Sequence, residues 1–297
     1  MSTPPGPPRV ERLASVSGGD APALVRPEPA LLARAPQVVR HHLATLPVHR
    51  ALIRAVECLL VGSVPLEPPI LDVGCGDGHF AAACLSTRAD AGIDPDASSA
   101  GEARRTGAYR AVLIASAATL PFAGGSFASV VSNCVLEHIP PLDASLHEIA
   151  RVLRPGGRLV ITVPSERFAG SLFWPQALRR LHLEHPAAAY GRWFNRISRH
   201  YHTYARDEWI SRLAAAGLVV EAWTSYLRPS AMAVFDLSHY YGAPTLLSKR
   251  LTGRWVLWPG KRAVLPWERW LERLLVRFTT QIAVPDGAYY FFTARKS

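Results

Sequence analysis

The spacing of apolar residues changes period along this chain, and the changes outline its organisation. Between residues 36 and 61, Val38, Val39, Leu43, Leu46, Leu52, Ile53, Val56, Leu59 and Leu60 recur at helical intervals. Pro47 interrupts them and should kink or split the helix. Short apolar runs follow at Pro69-Ile70-Leu71, Ala91-Gly92-Ile93, Ala128–Asn133, Leu159–Val163, Leu218–Trp223 and Ala288–Ala294. Each is the length of a buried strand, and helical stretches ending near Leu153 and Gly217 separate several of them. Strands alternating with helices predict an α/β fold with a mostly parallel, doubly wound sheet.

The densest chemistry lies at the first of these strands. Leu71-Asp72-Val73-Gly74-Cys75-Gly76-Asp77-Gly78-His79-Phe80 runs from a strand through a tight turn into a helix. Glycines at 74, 76 and 78 allow positive φ and let a ligand lie against the backbone. The helix start beyond them suits a carboxylate. Asp94, twenty residues after Gly74, closes the next strand, where an acid can accept both hydroxyls of a ribose. The dinucleotide fingerprint G-x-G-x-x-G is not met, because His79 stands where its last glycine should be. Asp72 would also repel a pyrophosphate but welcome an ammonium group. Adenosine joined to an amino acid fits better than NAD, which points to S-adenosylmethionine.

Three more segments follow in order: Ser116–Phe127 before a strand, Val135-Leu136-Glu137-His138-Ile139 after it, and Arg154-Pro155-Gly156-Gly157-Arg158 before the next. From Ile70 to Val163 the chain resembles the class I S-adenosylmethionine-dependent methyltransferases, in particular the type 11 family of small-molecule enzymes. The resemblance implies a Rossmann-like sheet of seven strands with an antiparallel last strand. It assigns Asp72, Gly74, Cys75 and Gly76 to the methionine end of S-adenosylmethionine, and Asp94 and Pro95 to the ribose. Ser116 and Ala117 would border the adenine, and Asn133 would floor the pocket beside the sulfonium. Ser116 departs from the family, which usually carries Asp there; a neutral hydroxyl implies looser adenine recognition. His138, titrating near neutrality and following the floor strand, is the candidate catalytic base.

Two insertions flank this core. Residues 165–205 carry Phe168, Phe173, Trp174, Tyr190, Trp193, Phe194, Tyr201 and Tyr204 with several histidines, and lie where strands end over a ligand crevice. They are expected to form a lid, with Tyr201, His202 and Tyr204 nearest the acceptor. Residues 226–286 separate the last two strands and should form a helical insertion. Within it Trp267, Trp270, Leu271, Leu274, Leu275 and Phe278 share one helical face, with Arg269, Arg273 and Arg277 opposite. A basic, tryptophan-bearing amphipathic helix over 266–278 can touch a membrane surface or pack on the core.

The full division is then a leader over 1–30, a helical cover over 31–65, and a methyltransferase domain over 66–297 holding both insertions. Seven prolines fall in the first thirty residues, and that stretch is expected to be disordered. No signal peptide or spanning segment is legible, which favours a cytoplasmic protein, peripheral at the membrane if the helix docks there. Cysteines 58, 75, 84 and 134 show neither paired metal spacing nor disulfide density, so no metal is expected. His41, His42 and His49 are expected to be solvated, since adjacent helical residues cannot face one site.

Net charge is +10, and residues 226–297 hold eleven basic against four acidic side chains. Arginines outnumber lysines thirty to three, a coding bias that weakens any inference from charge to nucleic acid. Asn133 is followed by Cys134-Val135, not by the proline typical of base N-methylation. The expected function is methyl transfer to oxygen or carbon of a small, hydrophobic or lipid-like acceptor. An RNA or protein methyltransferase using the basic C-terminus, and a non-catalytic binding module of the same fold, are the alternatives.

Overall fold

A computed structural model describes residues 22–25, 27–253, 255–256 and 266–297. One mixed sheet organises them. Its strands are β1 (Ala23–Leu24), β2 (Ile70–Val73), β3 (Ala89–Asp94), β4 (Tyr109–Ile114), β5 (Phe127–Asn133), β6 (Leu153–Pro164), β7 (Leu218–Tyr226) and β8 (Tyr289–Lys296). Their spatial order is β1-β7-β8-β6-β5-β2-β3-β4. All pairs are parallel except those of β8, which runs antiparallel to both β6 and β7. β2 is buried throughout, as a central parallel strand must be when helices cover both faces. Strand order reverses between β2 and β5, so a crevice opens at their carboxyl ends.

The α/β expectation holds, with one strand more than the seven expected. The extra strand comes from the segment read as a leader: Ala23↔Ala222 and Leu24↔Trp223 pair at the exposed edge of β7. An unpaired edge offers backbone hydrogen bonds that even a proline-rich segment can accept. Residues 1–21 and 26 lie outside the described residues.

The N-terminal cover is split where Pro47 demanded it, into α2 (Ala35–Thr45) and α3 (Val48–Gly62), after a short turn α1 (Pro29–Leu32). Beyond the glycine turn runs α4 (His79–Cys84), then α5 (Ala97–Thr106), capped by Asp96 accepting from the Ser99 amide at 2.8 Å. α6 (Leu142–Val152) and α9 (Arg206–Ala215) pack on one sheet face through Leu146, Ile149, Trp209 and Leu213. The cover helices pack on the other.

Both insertions are helical. The first holds α7 (Phe173–Arg180) and α8 (Glu184–Ile197); the second holds α10 (Pro229–Thr252) and α11 (Pro266–Thr279). Leu275 and Phe278 of α11 are buried with Val39, Leu43 and Leu52 of the cover, and Leu271 and Leu274 pack there half-buried. Much of the apolar stripe is thus spent on the protein itself. Trp270 is the exception, at 64% exposure. The expected solvation of the cover histidines fails at His42, which is wholly buried. α2 is packed on two sides, against α3 and against α11, so one of two adjacent histidines must turn inward while His41 stays exposed.

Candidate functional site

The glycine turn wraps the carboxyl end of β2. Gly74 has φ +79°, and a Cβ there would sit 2.4 Å from the Val135 methyls. The amides of Gly74 and Cys75 both donate to the Ile93 carbonyl, at 2.8 and 2.9 Å, which binds the turn to β3. Gly78, at φ +77°, is pressed against Ala103 of α5. Only Gly76 has open space above it (φ +53°), so it is where a ligand can approach the backbone.

Two carboxylates flank this turn in different surroundings. Asp72 is 2% exposed and accepts from the Tyr109 hydroxyl at 2.6 Å. Burial raises its pKa to about 6, while the Tyr109 hydrogen bond and the Arg54 charge pull the other way. Asp94, at the end of β3, accepts from the Gly76 amide and the Asp96 amide, both at 2.9 Å. The crevice beside them has a volume of about 210 Å³. Asp72, Gly74, Cys75, Gly76 and Asn133 line it.

Asp94 touches the crevice only through Gly76, and neither it nor Pro95, Ser116 and Ala117 is in that lining. Ser116 and Pro95 are exposed beside Asp94, whose strand pairs with β4 at Ile114, and Ala117 is buried in the core. The Ser116 hydroxyl accepts from the Ala118 amide at 3.2 Å.

The far wall is one the sequence reading missed. Arg50 and Arg54 reach in from α3, and Lys249 and Trp255 come from the second insertion. Arg50 stacks on Trp255 at 4.5 Å, Trp255 donates to Asp77 at 3.4 Å, and Lys249 pairs with Glu102 of α5. None of residues 165–205 is in this lining, which the cover helix and the second insertion wall. A lone arginine pair on an amphipathic helix carries no signal that distinguishes it from a solvated face.

The floor is a buried polar network. Glu57 of α3 is fully buried and accepts from Arg54 at 2.5 Å, Asn133 Nδ2 at 2.8 Å, Cys134 Sγ at 2.9 Å and the Tyr226 hydroxyl at 3.4 Å. Asn133 Oδ1 accepts from Thr162 at 2.9 Å, so both ends of its amide are fixed. A carboxylate so surrounded needs every one of these donors.

His138 sits on the turn after β5, outside the crevice lining and partly exposed. Its Nδ1 meets the Arg199 carbonyl at 3.1 Å, its Nε2 lies 3.7 Å from Glu137, and its ring is 5.2 Å from that of His200. Burial lowers its pKa. Glu137 is 1% exposed and burial pushes its pKa up to about 8. The lid ends on this turn, for the Tyr201 amide donates to the Glu137 carbonyl at 2.8 Å. His202 bridges the Ile139 carbonyl (2.9 Å) and the Tyr204 hydroxyl (2.8 Å), and Tyr204 packs on Trp209. Tyr201 is 59% exposed. The three lid residues thus gather at the Glu137–His138 turn, not over the glycine turn.

A sheet with this order, a glycine turn at its switch point and an acid closing the neighbouring strand define a class I methyltransferase fold. Residues 71–161 match the family model described as a methyltransferase domain. An uncharacterized methyltransferase of Mycobacterium sp. (strain JLS) is 40% identical over 96 residues, 31% of this chain and 37% of that protein. A demethylmenaquinone methyltransferase of Beutenbergia cavernae is 36% identical over 93 residues, 31% of this chain and 39% of that protein. These matches span about two fifths of the curated relatives' own length. A SAM-dependent methyltransferase of Thermotoga maritima, described as a possible histamine N-methyltransferase, superposes with a TM-score of 0.52 at 17% identity. It covers 84% of this chain and 91% of its own, and shares the fold.

Proposed function

We propose that this protein transfers a methyl group from S-adenosylmethionine to oxygen or carbon of a small, hydrophobic or lipid-like acceptor. The observation that carries the reading is the pairing of Asp72 and Asp94 on either side of one open glycine turn at the sheet's switch point. The residues present fit that cofactor. Asp72 is a buried carboxylate whose charge lacks a full partner, and an ammonium group would supply one. Gly76 leaves room for a ligand on the backbone, Asp94 stands where a ribose diol would be held, and Arg50 and Arg54 offer cations to a carboxylate.

The cofactor, when bound, supplies an activated methyl carbon. The protein's part is to align the acceptor and exclude water. Asn133, fixed at both ends, holds the floor rigid. His138, beside Glu137, can take a proton from an acceptor hydroxyl; its lowered pKa keeps the imidazole neutral and able to accept at pH 7. Tyr201, which is exposed, and the half-buried Tyr204 and His200 beside the Glu137–His138 turn offer an acceptor an aromatic surface on that side. The demethylmenaquinone methyltransferase among the relatives supports an apolar, ring-bearing acceptor class. Surface contact through α11 would bring the enzyme to such a lipid.

Calorimetry with S-adenosylhomocysteine and, separately, NAD tests the cofactor. Binding of the first and not the second is expected; equal binding sinks the choice. Labelled methyl transfer into a lipid extract then tests the acceptor class, with incorporation into RNA or protein alone pointing to the competing class.

A further inference from the structure

Among the described residues eleven hold a buried side-chain polar atom without a partner, and His42 is the one that holds two. It is wholly buried, yet neither ring nitrogen has a hydrogen-bond partner among the described residues. Burial holds its pKa near 3, so the imidazole is neutral with a lone pair to offer. An unpartnered buried nitrogen forfeits the hydrogen bond it had in water, and here there are two. The surroundings indicate what would satisfy one of them. Cys58 of α3 and Cys84, the last residue of α4, converge on the same spot, and the ligand atoms of all three lie within 4.8 Å of one another. Both cysteines are free thiols, and Cys58 makes one long contact, 3.6 Å to the Ala83 carbonyl.

We propose that His42, Cys58 and Cys84 form a zinc site that fastens the cover helices to the helix of the glycine turn. The donor set is one imidazole and two sulfurs, a combination zinc favours over harder cations. Zinc–sulfur bonds near 2.3 Å put tetrahedral sulfurs about 3.8 Å apart, so the side chains need close by only about 1 Å. Charge also balances. Two thiols lose their protons to solvent as the ion enters, and the neutral trio becomes a neutral complex of two thiolates, one imidazole and Zn²⁺. Desolvation, which holds the Cys84 thiol protonated in the metal-free state, then opposes no net charge. Three protein ligands leave a fourth position for water or a backbone carbonyl.

The placement has a consequence for the cofactor crevice. His42 is on α2, Cys58 on α3 and Cys84 on α4, so one ion would join three elements. α4 begins directly after Gly78, and His79 at its first turn lines the crevice and meets Thr45 of α2 at 2.9 Å. α3 carries Arg50 and Arg54 into the same crevice. The ion would hold the two walls in register without touching a ligand between them.

The test uses the full chain, purified without a metal-affinity tag and without added cofactor. Elemental analysis should find about one zinc per chain, or one equivalent taken up in competition with a chromophoric chelator. Native alkylation of Cys58 and Cys84 should be suppressed by zinc and restored, roughly tenfold faster or more, when a chelator removes it. His42→Ala keeps both thiols and should lower zinc affinity at least about tenfold, whereas Cys58→Ser/Cys84→Ser should abolish stoichiometric uptake. A parent protein with no zinc and no uptake overturns the proposal, as does a Cys58–Cys84 disulfide in the parent. Unchanged affinity in His42→Ala overturns the histidine's part. Because none of these readouts involves S-adenosylmethionine, they stand or fall apart from the methyl-transfer reading.

Discussion

The two ends of the crevice are built in different ways. At the glycine turn the main polar contacts are made within the segment from β2 to β4: Asp72 with Tyr109, Asp94 with Gly76, Gly74 and Cys75 with Ile93, with Trp255 on Asp77 the long-range addition. At the floor the contacts are gathered from across the chain. Glu57 belongs to the cover, Asn133 and Cys134 to the end of β5, and Tyr226 to the end of β7. The first end is local and depends on backbone shape, so it can be damaged one contact at a time. The second is a buried charge held by partners from three elements, where loss of one member exposes the rest to an uncompensated charge.

The largest effect should therefore come from the floor. Glu57→Ala leaves the Arg54 guanidinium without its carboxylate and strands Asn133 Nδ2, and should destabilise the fold by on the order of 3 kcal/mol. Glu57→Gln keeps an acceptor and the volume, so it should cost less. Urea unfolding of the two variants measures this, and equal midpoints with the parent would show that the network is not under the tension described.

At the other end the expected loss is in binding, with stability largely kept. Asp94→Ala should weaken S-adenosylhomocysteine binding by about 1.5–3 kcal/mol, the range for a hydrogen bond to a charged group. The variant also releases the Gly76 amide, so Asp94→Asn, which can still accept that bond, serves as the control. Calorimetric affinities equal to the parent's in both variants would remove Asp94 from the site.

This contrast also explains what could be read from the residues. A tight turn needs consecutive glycines and a strand end needs an adjacent acid, so Asp72, Gly74, Gly76 and Asp94 announce themselves within a short window. Arg54 and Glu57 do not. At i, i+3 on a helix they look like an ordinary surface pair, and only the packing of α3 on β5 and β7 makes them interior. Lys249 and Trp255 belong to the second insertion, whose basic and tryptophan residues suit a surface. They in fact close on Glu102, Arg50 and Asp77. The adjacent-histidine argument was right that His41 and His42 cannot face one site, but it could not say that one of them faces the core. Solvation needs a free helix face, and the later helix α11 removes it.

A smaller effect separates the two ends by pH. Glu137 carries a pKa raised from the ordinary carboxylate range to about 8 by burial, so the folded chain holds a proton that the unfolded chain releases above about 4.5. The folded state binds more protons between those values, so Glu137 contributes a fall in stability from about pH 5 to 8, which the buried histidines His42, His49, His79 and His200 oppose up to about 6.5 with the opposite sign. Asp72 adds a like fall between about 4 and 6 in the free protein, and an ammonium-bearing ligand should cancel that part by favouring the carboxylate. Glu137→Gln should flatten the upper part of the slope, by roughly 1–3 kcal/mol, and leave the lower part ligand-sensitive. Thermal melts at pH 5, 6.5 and 8, with and without S-adenosylhomocysteine, read both. A parent whose stability rises from pH 6.5 to 8 would contradict the burial of Glu137.

The smallest effect concerns neither end of the crevice but the outer surface of the insertion that walls it. Leu271, Leu274, Leu275 and Phe278 are turned toward the cover helices, and the side chain of Trp267 lies outside the described residues. Among the described residues α10 and α11 leave Leu247 at 60%, Leu251 at 75% and Trp270 at 64% exposure, with Leu237 and Tyr240 less exposed, in a region rich in basic residues. Among the described residues no helix is long and apolar enough to cross a membrane, so any contact would be with its surface. Each basic group near an anionic leaflet contributes about 1 kcal/mol, and the exposed apolar side chains add insertion at the interface. Flotation should recover the parent with anionic vesicles and much less with neutral ones, and Trp270→Glu should reduce recovery only severalfold because one of several contacts is lost. Lys249 is committed to Glu102 and Trp255 to Arg50, so a membrane that engages Leu247 and Leu251 pulls on the wall of the crevice itself. Cofactor affinity measured with and without anionic vesicles would register that pull. No flotation on either lipid would leave α11 as packing alone, with its tryptophan exposed to no purpose at a membrane.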